Sequence, residues 1–231
     1  MTPRKSARGK PAGSTAEPGL SLTDRAYGHL EEMIVTLQLP PGSAVSETAL
    51  SQRLGIGRTP IREALQRLAR ERLVGILPRR GIIVSEINVK SQLRLLEVRR
   101  EVERLVAKSA ARRATPEERK LFIEVARRFE KSARTNDDVA FMRVDRDFHD
   151  LSVMAARNEF AAGAMSLMHS LSRRFWYIHY KQAADLPLTA KLHADIARAI
   201  GAGNEAAAGK AMDKLLDTVA KFTRDTVTTD F

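Results

Sequence analysis

Residues 54–68 read Leu54-Gly55-Ile56-Gly57-Arg58-Thr59-Pro60-Ile61-Arg62-Glu63-Ala64-Leu65-Gln66-Arg67-Leu68. Gly55-Ile56-Gly57 spells a tight turn. Thr59-Pro60 then reads as a helix start, with Thr59 as N-cap and Pro60 at the first helical position, where its missing N–H costs nothing. Ile61, Ala64, Leu65 and Leu68 recur at helical spacing and form a buried stripe. Arg58, Thr59, Arg62, Gln66 and Arg67 are left around the N-terminal half and the exposed side.

On either side of this stretch the pattern continues. Upstream, Thr23 reads as the cap of a helix carrying Ala26, Leu30, Met33, Ile34 and Leu37, stopped by Leu39-Pro40-Pro41-Gly42. Ser46 opens a short second helix with Glu47 in its first turn. Downstream, Leu73–Leu77 and Ile82–Ile87 read as strands joined by Pro78-Arg79-Arg80-Gly81. Helix, helix, turn, helix and hairpin together predict a winged helix-turn-helix over residues 21–87. In such a module the third helix enters the major groove, and Gly81 at the wing tip lets backbone approach a groove or phosphate.

Charge agrees with that reading. The 231-residue chain carries a formal net charge of +11, and residues 51–80 hold eight arginines against two glutamates. Arginine forks bidentately to phosphate and to guanine edges. There is no cysteine, which removes disulfides, thiolate metal sites and cysteine nucleophiles. No apolar run is long enough for a membrane helix and no signal-peptide core begins the chain, so a cytoplasmic location is expected. Residues 1–20, rich in Lys, Arg, Gly, Ser and Pro, are expected to form a disordered basic tail.

From residue 88 to 231 the composition turns helical. Breaks at Thr115-Pro116, Thr135-Asn136-Asp137, Asn158, Asp185-Leu186-Pro187 and Gly201-Ala202-Gly203 predict six helices in an antiparallel bundle. The fold class is therefore mainly α. Asp145 and His149 stand one helical turn apart and share a face, as a carboxylate and imidazole binding one ion would. His169 and His179, on the fourth bundle helix, could each face the cavity, though a lone helical histidine reads more simply as a surface or satisfied core residue, and His29 reads as structural.

The 54–68 stretch closely resembles the DNA-binding signature of the GntR family of bacterial transcription regulators. The bundle is similar to the all-helical effector domain of its FadR-like branch, through Glu97-Val98-Arg99 with Glu103, Asp145-Arg146-Asp147-Phe148-His149, and Leu192-His193. Six helices instead of seven point to the shorter, VanR-like variant. The resemblance places Arg58, Thr59, Arg62, Arg80 and Gly81 at DNA, with double-stranded operator DNA as partner and a homodimer as the binding unit. An arginine that several relatives carry directly after the Glu47 position is Thr48 here.

In the bundle, the resemblance makes Arg99 the anchor of a small, carboxylate-bearing effector, with His149, His193 and Arg173 beside it. The alternative for Arg99 is an intrahelical pair with Glu103. Asp145, His149 and His193 match three of the family's four metal ligands. The fourth position is Leu215, which cannot ligate, so the cavity holds either one weakly bound divalent ion (Zn, Mn or Ni) or a metal-free polar pocket. The expected function is a ligand-responsive transcription regulator acting as a repressor. The alternatives are a DNA-binding protein with a purely structural bundle and a metal-dependent hydrolase. No HExxH, nucleophile motif or phosphate loop supports the last.

Overall fold

Ser21, rather than Thr23, caps the first helix. In a computed structural model, which describes residues 20–77, 81–183 and 185–228, the Ser21 hydroxyl accepts from the Asp24 amide at 3.0 Å and α1 runs Leu22–Val35. The helix ends before Leu37, which takes a left-handed φ of 61°. The amides of Thr36, Leu37 and Leu39 take up the last free carbonyls.

Ser46 caps α2 (Glu47–Leu54) as expected, and Gly55 closes it at φ 64°. Helix α3 spans Arg58–Arg70 with Gly57 as its cap, so the Thr59 cap is corrected. Pro60 falls inside the first turn, where an absent N–H leaves no helical bond unmade. The wing is β2 (Val74–Leu77) against β3 (Gly81–Val84), antiparallel, with Val74 opposite Val84 and Leu77 opposite Gly81. A two-residue strand that the sequence pattern does not reveal, β1 (Ala44–Val45), pairs with the other edge of β3. Arg80 and the proposed basic tail lie outside the described residues.

Among the described residues the bundle has seven helices, correcting the six predicted and with them the ground for the VanR-like variant: α4 (Val89–Arg113), α5 (Pro116–Thr135), α6 (Asp138–Ala156), α7 (Glu159–Ser166), α8 (His169–Ala183), α9 (Leu186–Gly201) and α10 (Glu205–Thr228). Six starts carry the side-chain caps that polar residues favour: Asn88, Thr115 with a full capping box to Glu118, Asp137, Asn158, Asp185 and Asn204. The unforeseen break separates α7 from α8. There the Leu167 and Met168 amides turn back to carbonyls three residues earlier, and no Gly or Pro marks the joint. Helix α5 packs along α9 and α4 along α10, with α6 against both α4 and α5.

Two apolar cores form. One joins α1, α2, α3 and the wing, and the other fills the bundle. They interlock: Val35 of α1 belongs to the bundle core, and Leu171 of α8 packs onto the winged-helix core. Helix α8 thus packs against α1.

Candidate nucleic-acid interface and bundle cavity

The stripe of α3 is fully used, since Ile61, Ala64, Leu65 and Leu68 are all buried. Arg58, Thr59, Arg62 and Gln66 are exposed on the other side. Arg62 is not a free side chain. Its Nε and Nη2 donate to the two Glu47 oxygens at 3.0 and 2.8 Å, a bidentate fork from α2 to α3. Arg58 reaches the same carboxylate at 3.9 Å. The Arg62 hydrogen bonds and charge hold the Glu47 carboxyl below its ordinary range, against a small burial effect. Glu47, which the sequence marks only as a helix-start residue, therefore sets the direction of the Arg62 guanidinium. Gly81 sits in the wing at φ 81°, with nothing where a side chain would begin, and is exposed.

Behind this surface α3 is fastened to α1. The Arg67 guanidinium lies 3.6 Å over the Tyr27 ring, whose hydroxyl donates to Glu71 at 2.8 Å. Burial and the Glu71 charge push the Tyr27 phenol far above its ordinary pKa, so it stays a donor.

Two adjoining cavity lobes lie among α4, α6, α8, α9 and α10, with volumes of about 40 and 50 Å³. Both are lined by Arg99, Asp145, His169, His193 and Leu215. Asp145 is the centre. His169 Nε2 approaches one carboxylate oxygen and His193 Nε2 the other, each at 3.3 Å, and Arg173 Nε lies 3.2 Å from the first. Burial opposes the Asp145 charge, but the hydrogen bonds and charges of the two imidazoles outweigh it and hold the carboxyl well below its usual value. His149 lines the first lobe and stacks on His169, ring centroids 3.6 Å apart. Burial and the His169 charge hold its pKa well below the ordinary histidine value, so it is neutral.

The expected residues thus converge. Asp145, His149, His193 and Arg99 share the first lobe, and Arg173 joins Arg99, Asp145 and His193 in the second. Arg99 takes the intrahelical alternative here, with its Nε and Nη2 on Glu103 Oε1 at 2.8 and 2.6 Å. His169, read as an ordinary surface or core residue, is a full member of the site. Ser152, a further turn along the Asp145–His149 face, lines the first lobe with a buried hydroxyl that meets no protein partner. His29 is exposed on α1 rather than structural.

As arranged, these groups do not fit a metal ion. Among the described residues no three His, Asp or Glu side chains are disposed to hold one. Leu215 lines both lobes with an apolar side chain, and Arg173 already places a cation on Asp145. One detail does suit a ligand. His193 Nδ1 donates to the Thr189 carbonyl at 2.8 Å, which turns Nε2 toward Asp145.

Comparison with known proteins decides the class. Residues 22–84 match the family described as bacterial regulatory proteins, gntR family, and residues 94–218, more than half of the chain, match the FCD domain. The chain is a GntR-family transcription regulator of the FadR-like, FCD-domain branch. Over 212 residues, 90% of this chain and 91% of the relative, it is 26% identical to the HTH-type transcriptional repressor RspR of Escherichia coli K12. It is 27% identical to the regulator YdhC of Bacillus subtilis over 57% of this chain and 59% of YdhC. A Streptomyces ambofaciens HTH-type regulator is 45% identical over 62 residues, about a quarter of its length. In fold the chain is similar to E. coli McbR/YncC, with a TM-score of 0.77 at 18% identity over 90% of this chain and all of that one. The family and these relatives are transcription regulators, not enzymes, so the hydrolase alternative falls. GntR regulators bind DNA and FCD domains bind small-molecule effectors. No helix among the described residues is long and apolar enough to cross a membrane.

Proposed function

We propose that this GntR-family chain is a cytoplasmic, ligand-responsive repressor that binds a pseudo-palindromic operator as a homodimer and is released from it by a small carboxylate. The observation that carries this reading is the bundle cavity, where Arg173 stands buried beside Arg99, His149 and His193, the residues that the family resemblance assigns to the effector and metal site. A guanidinium in a dry cavity pairs strongly with a carboxylate. Arg99 would exchange Glu103 for the ligand. Lobes of about 40 and 50 Å³ hold only a few waters, whereas metabolite pockets run to about 300–1,000 Å³. The lobes are therefore too small for such a ligand as they stand, and its entry must spread the helices around them.

In this reading Asp145 is neutralised by Arg173 instead of by a resident ion. Dimerisation goes through the bundle, because a winged module of this size offers little area on its own. The test is selection of bound genomic fragments, followed by operator titration in the presence of a panel of small carboxylates. Release of operator by one carboxylate, abolished in Arg99→Gln, supports the reading. Operator binding indifferent to every member of the panel would leave the bundle purely structural.

A further inference from the structure

Glu31 lies on α1, in the DNA-binding domain, yet it is 2% exposed because α8 covers it. One of its oxygens accepts from Arg173 Nη1 at 2.6 Å, and the other lies 3.3 Å from Arg146 Nη1. Arg173 also donates through Nη2 to the Met142 carbonyl at 2.9 Å, and its Nε faces Asp145 in the cavity at 3.2 Å. One guanidinium therefore stands between two carboxylates, one in each domain. Its grip is incomplete: neither Arg173 Nε nor the second Glu31 oxygen completes a hydrogen bond of good geometry.

The surroundings make this junction more than a local pair. A cleft of about 880 Å³ runs between α1 and the bundle, and His149, His169 and Arg173 line it as well as the cavity lobes. These three side chains form the wall between cavity and cleft. The next residue, Arg174, donates to the carbonyls of Ser85 and Glu86, where the chain leaves the wing. Helix α8 thus holds the DNA-binding domain at α1 and at its exit strand, through adjacent residues.

We infer that Arg173 couples the cavity to the DNA-binding domain: negative charge beside it in the cavity draws it from Glu31 and loosens α1 and residues 85–88, whereas loss of that charge tightens them. The inference rests on the reading of the cavity as a site for an acidic ligand, which would act as the added charge. The physical basis is that one rigid guanidinium in a poorly screened interior lies between two carboxylates and cannot move toward one without moving from the other. A ligand shifts an equilibrium only through different contacts with its two states, and Arg173 supplies such a difference.

The experiment needs neither ligand nor DNA, so it separates this inference from the proposed function. Backbone hydrogen exchange is followed by mass spectrometry on the full chain, in a chelating buffer, for wild type, Glu31→Gln, Asp145→Asn and the double variant. Glu31→Gln should speed exchange of α1 and residues 85–88 by roughly 5- to 150-fold, the usual range of coupling between sites. Asp145→Asn should slow it, and should have no effect on those segments in the Glu31→Gln background. An equal Asp145→Asn effect in both backgrounds, or unchanged exchange in Glu31→Gln, overturns the inference. Should Asp145→Asn not fold, Arg173→Lys keeps the charge without the fork. It should speed exchange in α1 and 85–88 while leaving α5 and α9 as in wild type, and unchanged exchange in 85–88 overturns the inference equally.

Discussion

Arg62 shows how a single residue can be placed correctly from sequence and still be only half described. Its exposure on α3 follows from the helical stripe opposite it. Its fork onto Glu47 does not, because that pairing crosses 15 positions and two helices. Arg62→Ala should weaken operator binding by roughly 5- to 150-fold, the worth of one bidentate base contact, measured by titrating a labelled operator. Glu47→Ala should leave the fold intact and relax sequence preference at the base pair that Arg62 reads, because the guanidinium loses the partner that aims it. Binding to a panel of operator variants checks this, and unchanged selectivity would remove Glu47 from any positioning role. Leu215 can be argued in the same way. It lines both lobes, so Leu215→His would put a new imidazole into the cavity beside Asp145 and His193. Calorimetry with Zn²⁺ should show affinity at least about 10–100-fold above wild type, since changes outside the ligand shell alone are worth that much. Equal affinities in the two proteins would mean that the new side chain turns away from Asp145.

At the scale of elements, capping and periodicity made most of the bundle legible, because Asn88, Thr115, Asp137, Asn158 and Asp185 are local signals acting on local backbone. What escaped was decided by tertiary contact. Strand β1 is two residues long and exists only because β3 offers an edge. The α7–α8 break has no breaker residue. The place of His169 in the site has a measurable consequence. His149, neutral and stacked on His169, has a folded pKa well below 6.5. The unfolded chain then binds a proton that the native one refuses, so stability falls as pH drops below about 6.5. Asp145 adds a second loss at lower pH: its folded carboxyl pKa is depressed, so its contribution holds above 3.8 and disappears as pH falls through the folded value. Thermal unfolding followed against pH should show the first decline beginning on the acid side of neutrality. His149→Phe, which keeps a ring against His169 but cannot titrate, should flatten that first decline. A wild-type midpoint constant from pH 7 down to the carboxylate range would contradict it.

For the whole molecule the governing quantities are charge and symmetry. A net charge of +11, with eight arginines against two glutamates in residues 51–80, makes DNA binding a counterion-release process. The logarithm of affinity should fall linearly with the logarithm of salt concentration, by about 0.9 for each phosphate neutralised. Two winged domains on a pseudo-palindrome double the number of phosphates engaged, so the slope should be that of a dimer, and sedimentation of the free protein at micromolar concentration should give the dimer mass. Arg4, Lys5, Arg8 and Lys10 stand against a single Glu17 in the first twenty residues, so a chain shortened to begin at residue 20 tests whether they touch phosphate. If they do, the shortened protein should bind the same operator sequence with unchanged base preference. Its salt slope should then be shallower by about 0.9 for each phosphate that the shortened chain leaves unneutralised. Identical slopes for the two proteins would assign the electrostatic part of binding wholly to the winged domain. A shallower slope with altered base preference would mean instead that these residues reach the minor groove, where basic side chains read groove width as well as charge.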